Sequence, residues 1–177
     1  MGKPALPQEV MLFSSILYHD ESLAHKAVDA LKALFGEISY ESGPIPFDYT
    51  SYYHKEMGSP LFRILIAFSK LVPRNSLPGI KRATNTIEED MVIDGRRTIN
   101  LDPGILSLEN ICLATTKPYS HRIYLDEGIW AEVTLMYQKD AYQALPWTYP
   151  DYASQDLIGI FNELRGIYKE RSRCRAA

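Results

Sequence analysis

Cysteine and histidine are scarce in this chain, whose 177 residues include two cysteines and four histidines. Cys112 and Cys174 form no CxxC motif, and together with the histidines they give none of the spacings of a zinc site. The sequence therefore predicts a protein that binds no metal and no other cofactor and that has no disulfide bond. Such cysteine usage is typical of a reduced, intracellular compartment.

Long apolar runs and an excess of positive charge are also absent. No stretch approaches the roughly 20 apolar residues of a membrane span, and the opening segment MGKPALPQEV lacks the charged and apolar regions of a signal peptide. With 19 basic and 22 acidic residues, the net charge is -3. We therefore expect a cytoplasmic protein with no membrane partner. A dedicated duplex-DNA binder is not expected, although a local basic patch is compatible with this charge.

Several motifs of common enzymes are missing as well. The chain contains no GxxxxGK[ST], GxGxxG, GxSxG or HExxH segment. The usual basis for assigning an ATPase, a dinucleotide-binding enzyme, a serine hydrolase or a metalloprotease is therefore absent. Whether the protein catalyses any reaction stays open at this point.

The overall composition is that of an ordinary globular protein, with 46% hydrophobic and 23% charged residues. A chain of this length can bury a core without metal or disulfide support. We expect a single domain over residues 1–177, in which residues 1–8 and 171–177 form flexible tails.

Hydrophobic periodicity predicts both strands and helices in the first half of the chain. Residues 10–18 read as a buried strand and residues 61–69 as a half-buried strand, while residues 21–35 read as a helix. Ser76 is predicted to cap a helix that runs to Met91, and the IDGR turn then leads into a further strand. This order favours an α+β protein, a single layered domain with a mostly antiparallel sheet and helices on one face. A ferredoxin-like arrangement with an extra hairpin and extra helices fits it.

A turn followed by a short helix is predicted in the middle of the chain. The segment Asp102-Pro103-Gly104 has the composition of a turn, and Ser107 has the position of a helix cap. Pro118 would end that short helix, which places Lys117 at its carboxyl end, where a positive charge complements the helix dipole.

A hairpin follows, with Gly128 as the third residue of a predicted three-residue turn. The register then pairs Leu125 with Ile129, Tyr124 with Trp130, and Arg122 with Glu132. His121 falls on the apolar side of this hairpin. The pair of Arg122 and Glu132 is interpreted either as a surface-like ion pair, with a contribution of about 0.2 to 1 kcal/mol, or as one wall of a pocket.

Polar side chains that could act on a ligand are concentrated in loops and around this hairpin. Asp48, Asp102 and Asp151 lie beside proline and aromatic residues, where an aspartate often bonds its own turn. The candidate catalytic residues are Asp102, His121 and Asp151. The candidate ligand-binding residues are Arg97, Lys117, Arg122, Glu132, Trp147 and Tyr149.

Six ordered segments give a resemblance to a known family: PIPFDYTSYYHKEMG, TNTIEED, GRRTINLDPGIL, LATTKPYSHRIYL, GIWAEVTLMY and LPWTYPDY. Together they resemble the bacterial family called domain of unknown function 4416, over nearly the whole chain. The resemblance implies a single-domain bacterial cytoplasmic protein and implies no particular activity.

Basic, acidic and aromatic side chains drawn from these segments would suit a pocket for an anion. We therefore predict that the protein binds an anionic small molecule that carries phosphate or carboxylate, or a nucleotide, in a polar and aromatic pocket. Two alternatives stay open. One is an RNA-associated accessory protein that uses the face of Tyr124, Trp130 and Arg122, and the other is a homo-oligomeric adaptor without catalysis, whose aromatic loops form the interface.

Overall fold

The computed structural model describes residues 2–176, with the backbone alone at residues 175 and 176. Met1 and Ala177, the ends of the predicted tails, lie outside the described residues, and the flexibility of the tails stays a prediction. The elements in chain order are β1 (Val10–Tyr18), α1 (Glu21–Phe35), β2 (Ile38–Glu41), β3 (Ile45–Phe47), α2 (His54–Met57), β4 (Leu61–Val72), α3 (Leu77–Asp90), β5 (Ile99–Leu106), β6 (Asn110–Thr115), β7 (Ile123–Asp126), β8 (Ile129–Gln138), β9 (Ala141–Ala144) and α4 (Gln155–Ala176).

All of these strands belong to one antiparallel sheet. Its order is β2-β4-β1-β5-β6-β8-β7, while β3 pairs with β4 and β9 pairs with β8. The part from β1 to β5 follows the β-α-β-β-α-β order of a ferredoxin-like unit, with the short β3 and α2 inserted. The strands from β6 onward extend the sheet on one side. The prediction of an α+β protein with a mostly antiparallel sheet is confirmed.

Helices cover both faces of the sheet. Alternate residues of β1 point to opposite sides, so Leu12 and Ile16 pack with α1 and α3, whereas Met11 and Phe13 pack with α4. The prediction that the helices share one face is therefore wrong. The apolar stripe of α4 is visible in the sequence, but helical periodicity does not say which face of a sheet the stripe will cover.

Local side-chain chemistry explains the start of α1. The Asp20 carboxylate accepts a hydrogen bond from the Ser22 backbone N–H at 2.8 Å, which caps the helix. The start of α3 differs from the prediction, because the Ser76 hydroxyl donates to the Pro73 carbonyl at 2.6 Å. A short 3-10 turn thus leads into α3 in place of a side-chain cap.

The predicted turn at Asp102-Pro103-Gly104 is wrong, because β5 continues through these residues to Leu106. Proline has no backbone N–H, so it cannot donate a hydrogen bond to a neighbouring strand. It is tolerated here because β6 pairs with β5 only from Gly104 onward within the described sheet, which leaves the strand open beside Pro103.

The short helix predicted after Ser107 is also wrong, because this segment is the strand β6. The Ser107 hydroxyl accepts hydrogen bonds from the backbone N–H groups of Glu109 and Asn110, at 3.2 and 3.1 Å, and so closes a tight turn between β5 and β6. A serine that caps a helix bonds the same two following N–H groups. The sequence signature of a turn and that of a helix start are therefore alike here.

The hairpin of β7 and β8 differs by one residue from the predicted turn. Glu127 and Gly128 form a two-residue turn with positive φ values of 51° and 79°, and Asp126 pairs with Ile129. Leu125 is an extra residue in a bulge, so its predicted pairing is wrong. The predicted pair of Tyr124 with Trp130 is confirmed, because the bulge restores the register.

Gly104 occupies the tightest position in the centre of the sheet. It lies opposite Phe13 across the pairing of β5 and β1. A Cβ atom at this position would meet Phe13 Cε1 and the Cys112 carbonyl oxygen, both at 2.8 Å. Because one of these neighbours is backbone and the other belongs to a buried ring, neither can move away easily.

We expect the substitution Gly104→Ala to lower the free energy of unfolding by about 2 kcal/mol, through overpacking. Urea denaturation monitored by circular dichroism measures this change. Gly159→Ala is the matched control, because Gly159 lies on the exposed side of α4 with no atom within 4 Å of the added Cβ. The control should gain roughly 0.5 to 1 kcal/mol from helix propensity. Equal effects of the two substitutions would contradict the close contact.

The two thiols of the chain are free and differ in environment, since Cys112 is partly buried in β6 and Cys174 is exposed on α4. Burial raises the pKa of the Cys112 thiol to about 11. At about pH 8 we therefore expect a thiol reagent to label Cys174 quickly and Cys112 slowly, because the thiolate is the reactive form. Cys174→Ser should remove the fast phase, and two thiols of equal rate would contradict this assignment.

Candidate functional site

A cavity forms where two neighbouring strands of the sheet separate. The last residue pair between β5 and β6 is Gly104 with Leu113. Before Gly104, β5 pairs with β1 alone, and after Leu113, β6 pairs with β8 alone, within the described sheet. The cavity in this region has a volume of about 490 Å³, which lies within the range of small-molecule sites.

Two side chains of α3 replace the missing strand at the open edge of β5. Lys81 Nζ donates to the Leu101 carbonyl at 2.7 Å, and Glu88 Oε1 accepts from the Leu101 N–H at 2.6 Å. A backbone group without such a partner would cost free energy when buried. Burial raises the pKa of Glu88, although Lys81 acts in the opposite direction.

The charged side chains around the cavity come from many separate segments of the chain. Five are basic and four are acidic, so the lining carries a formal excess of one positive charge in a chain whose net charge is -3. They are Arg63, Lys81, Arg97, Lys117, Arg122, Glu88, Asp102, Glu132 and Asp151. Aromatic walls complete the site, from Phe47, Tyr49, Tyr52, Tyr53, Tyr149 and Tyr152.

Arg63 and Asp151 form a buried ion pair at one end of the cavity. Arg63 NH1 forms an ion pair with Asp151 Oδ2, and the Arg63 guanidinium carbon lies over the rings of Phe47 and Tyr152, at 5.0 and 5.1 Å from their centroids. Its Nε has no hydrogen-bond partner among the described residues. Arg63 lies in β4, which is buried on both faces, so the prediction of a half-buried strand is wrong at this position.

Arg122 and Glu132 are in contact as predicted, with 2.8 Å between Arg122 Nε and Glu132 Oε2. The same carboxylate oxygen lies 3.2 Å from His121 Nε2. His121 is therefore part of the polar cluster, and its predicted place on the apolar side of the hairpin is wrong. The surface-like interpretation of the ion pair is wrong too, because the Glu132 and Arg122 side chains are 1% and 7% exposed.

The other two guanidinium nitrogens of Arg122 hold the surrounding loops. NH1 donates to the Lys117 carbonyl and NH2 donates to the Tyr149 hydroxyl, each at 2.8 Å. One side chain thus joins β8, the loop after β6 and the loop before α4. Burial raises the pKa of Tyr149, so its hydroxyl keeps a hydrogen that it can donate.

A second chain of hydrogen bonds runs along the opposite wall. Arg97 donates from Nε to Glu56 Oε2 and from NH1 to the Asn100 side chain, both at 3.0 Å, and its NH2 lies 2.9 Å from the same Glu56 oxygen as an ion pair. Asn100 in turn donates to Asp102 at 2.7 Å, and Lys81 Nζ lies 3.7 Å from the same carboxylate. Arg97 precedes β5, so the strand predicted to begin there starts two residues later.

Lys117 lies at the edge of the cavity in a different setting from the predicted one. The segment before it is the strand β6, so Lys117 follows no helix. Its ammonium nitrogen lies 5.4 Å from the centroid of the Tyr52 ring. Within residues 2–176, no carboxylate lies within ion-pair distance of this nitrogen. Lys117 is therefore a cation with donors left for a ligand.

Most of the candidate residues converge on this region. The residues that line the cavity are Arg97, Asp102, Lys117, Arg122, Glu132, Tyr149 and Asp151. His121 and Trp147 line an adjoining, more open pocket that shares Arg122 and Tyr149 with the cavity. Asp48 is exposed and lines neither.

Sequence reasoning missed several residues of the cavity, notably Arg63, Lys81 and Glu88. An arginine within the apolar run LFRILIAF was a visible signal for Arg63. Lys81, Thr84 and Glu88 recur at helical spacing and mark a polar stripe on α3. That stripe could have been found in the sequence, but its partner on the sheet could not.

In the described part of the chain, no three histidine, cysteine or carboxylate side chains are close enough together to hold a metal ion. The absence of a metal and of a disulfide stays a prediction for the protein in solution. None of the helices in residues 2–176 is long and apolar enough to cross a membrane.

These features define a class: an α+β protein with one extended antiparallel sheet and a charged, aromatic cavity at the place where the sheet opens. The chain belongs to the family described as Domain of unknown function (DUF4416), whose model matches residues 8–168. No curated protein and no solved structure matches the chain.

We expect Arg122→Met to lower the free energy of unfolding by about 3 kcal/mol, because it leaves the Glu132 carboxylate buried without its arginine. Adding Glu132→Gln removes the buried charge and should restore a large part of the loss. Urea denaturation of the two single variants and the double variant measures the coupling between the side chains. Additive losses would show that the two residues do not act as a pair.

Proposed function

We propose that the protein binds an anionic small molecule, with a phosphate or carboxylate group, in the cavity between β5 and β6. The observation that carries this proposal is the convergence of five basic side chains on one cavity. A chain with an overall negative charge must collect basic residues locally to attract an anion. The aromatic walls and the volume of about 490 Å³ suit a compound of small-molecule size.

The basic residues have different parts in this proposal. Arg122 donates a hydrogen bond to the protein from each of its three guanidinium nitrogens, and Arg97 makes two hydrogen bonds and an ion pair. They contribute positive potential and hold the walls in place, and they are positioning residues. Lys117 has an ammonium group without a carboxylate partner among the described residues, so it is the side chain that we expect to contact the anion.

Tyr149 is the second group that we expect to contact the anion. Its hydroxyl oxygen accepts a hydrogen bond from Arg122, which leaves the O–H hydrogen to be donated elsewhere. A neutral hydroxyl polarised by a guanidinium is a stronger donor than an isolated one. Arg122 links these two residues, because its guanidinium donates to both the Lys117 carbonyl and the Tyr149 hydroxyl.

The test is a thermal-shift screen with inorganic phosphate, sulfate, phosphorylated sugars, nucleotides and di- and tricarboxylates. A compound present at about 100 times its Kd should raise the Tm by roughly 5 to 10 °C, because it binds the folded state alone. Lys117→Met should weaken the best compound roughly tenfold, as expected for the loss of a charged hydrogen bond. Lys26→Met, at an exposed site on α1, is the matched control.

Two results would overturn the proposal: no anion in the panel shifts the wild-type Tm, or Lys117→Met binds the best anion as tightly as the control variant does. The alternatives give their own outcomes. Salt-sensitive retention of single-stranded RNA would favour the RNA-associated protein, and a mass that rises with concentration would favour the homo-oligomeric adaptor.

A further inference from the structure

The pocket beside the cavity has an aromatic platform that is already held in place. Trp147 donates its indole N–H to the Val133 carbonyl at 2.8 Å. The His121 ring stacks on the indole, with 5.1 Å between centroids and an angle of 11° between planes. Despite these two contacts, 40% of the surface of Trp147 remains exposed.

The position of His121 is fixed in turn by the buried carboxylate of Glu132, 3.2 Å from Nε2. Glu132 therefore contacts two side chains, the Arg122 guanidinium and the His121 imidazole that stacks on the Trp147 indole. An exposed aromatic ring normally keeps some rotational freedom. Here its orientation is set before any ligand arrives, which lowers the entropy that a stacking ligand must lose.

The platform adjoins the cavity. Arg122 and Tyr149 line both spaces, and their side chains are joined by a hydrogen bond of 2.8 Å. A molecule whose anionic group lies near Lys117 and the Tyr149 hydroxyl can therefore extend past the Tyr149 ring to Trp147. Tyr119 and Pro146 complete the apolar lining on that side.

From this shared lining we infer that the ligand of the cavity is an anion joined to a flat ring, and that the ring stacks on the exposed part of Trp147. The inference rests on the proposed function, because the same molecule occupies both spaces. Flat aromatic and heteroaromatic rings gain from stacking on an indole without a need for specific hydrogen bonds. A small anion without a ring would use only the cavity.

The experiment compares two matched pairs of probes, phenyl phosphate with methyl phosphate, and a nucleoside monophosphate with ribose 5-phosphate. The chain has two tryptophans, so Trp130→Phe leaves Trp147 as the single indole fluorophore. We expect the ring-bearing member of at least one pair to bind roughly tenfold tighter and to change the Trp147 emission. Trp147→Leu should reduce its affinity to that of the member without a ring.

The outcomes separate this inference from the proposed function. If both members of each pair bind equally, and Lys117→Met weakens both, the ring subsite is wrong and the anion site stands. If no probe of either pair binds, the ring subsite is wrong, and the anion site fails with it only when no anion of the thermal-shift panel binds either. Should Trp147→Leu not fold, the Trp147 emission decides: a change with the ring-bearing probe and none with its partner supports the subsite, and identical responses overturn it.

Discussion

The separation of β5 from β6 is the constraint on which the rest of the structure depends. A sheet that opens in its middle leaves backbone N–H and C=O groups without a strand to bond them, and buried groups of this kind must find other partners. Lys81 and Glu88 meet that need at Leu101, which explains why two charged side chains of α3 are directed at the sheet. The same two residues then become part of the cavity wall. The polar character of the site is therefore a consequence of the opening.

In a second gap of the sheet, side chains again bond the backbone groups that have no partner strand. Between the segments of β8 that pair with β7 and with β9, the Val133 carbonyl is bonded by the Trp147 indole and the Thr134 carbonyl by the Thr148 hydroxyl. The loop before α4 is thus attached to the sheet by side chains. Of the residues that satisfy the backbone in these gaps, Lys81, Glu88 and Trp147 also line the spaces where we place the ligand.

The sequence predicted the regular parts of this fold well, for reasons that are local. The strand β1 and the helix α1 follow from apolar periodicity and from the cap at Asp20, and both depend on neighbouring residues alone. Ser107 marks the limit of this approach, because its hydrogen bonds are those of a helix cap although the following residues form a strand. The pairing of β6 with β5 and with β8, the latter more than twenty residues away along the chain in places, decides between the two structures.

The candidate site was predicted in part for a related reason. Polar residues concentrated in loops pointed to Arg97, Lys117 and Arg122, which do share one cavity. Arg63 lies in a predicted strand and Glu88 in a predicted helix, and neither periodic pattern indicates a binding site. They line the cavity because of where the sheet opens. That opening is a tertiary property. No pattern within a single segment reports it.

The tight contact at Gly104 has a consequence for how the cavity can respond to what it holds. Gly104 and Leu113 form the last pair before the strands part, and Gly104 lies against the buried ring of Phe13. The apex of the cavity therefore lies beside a closely packed part of the core, where compressibility is low. We therefore expect the inner end of the cavity to keep one shape and to limit how deep a ligand could reach.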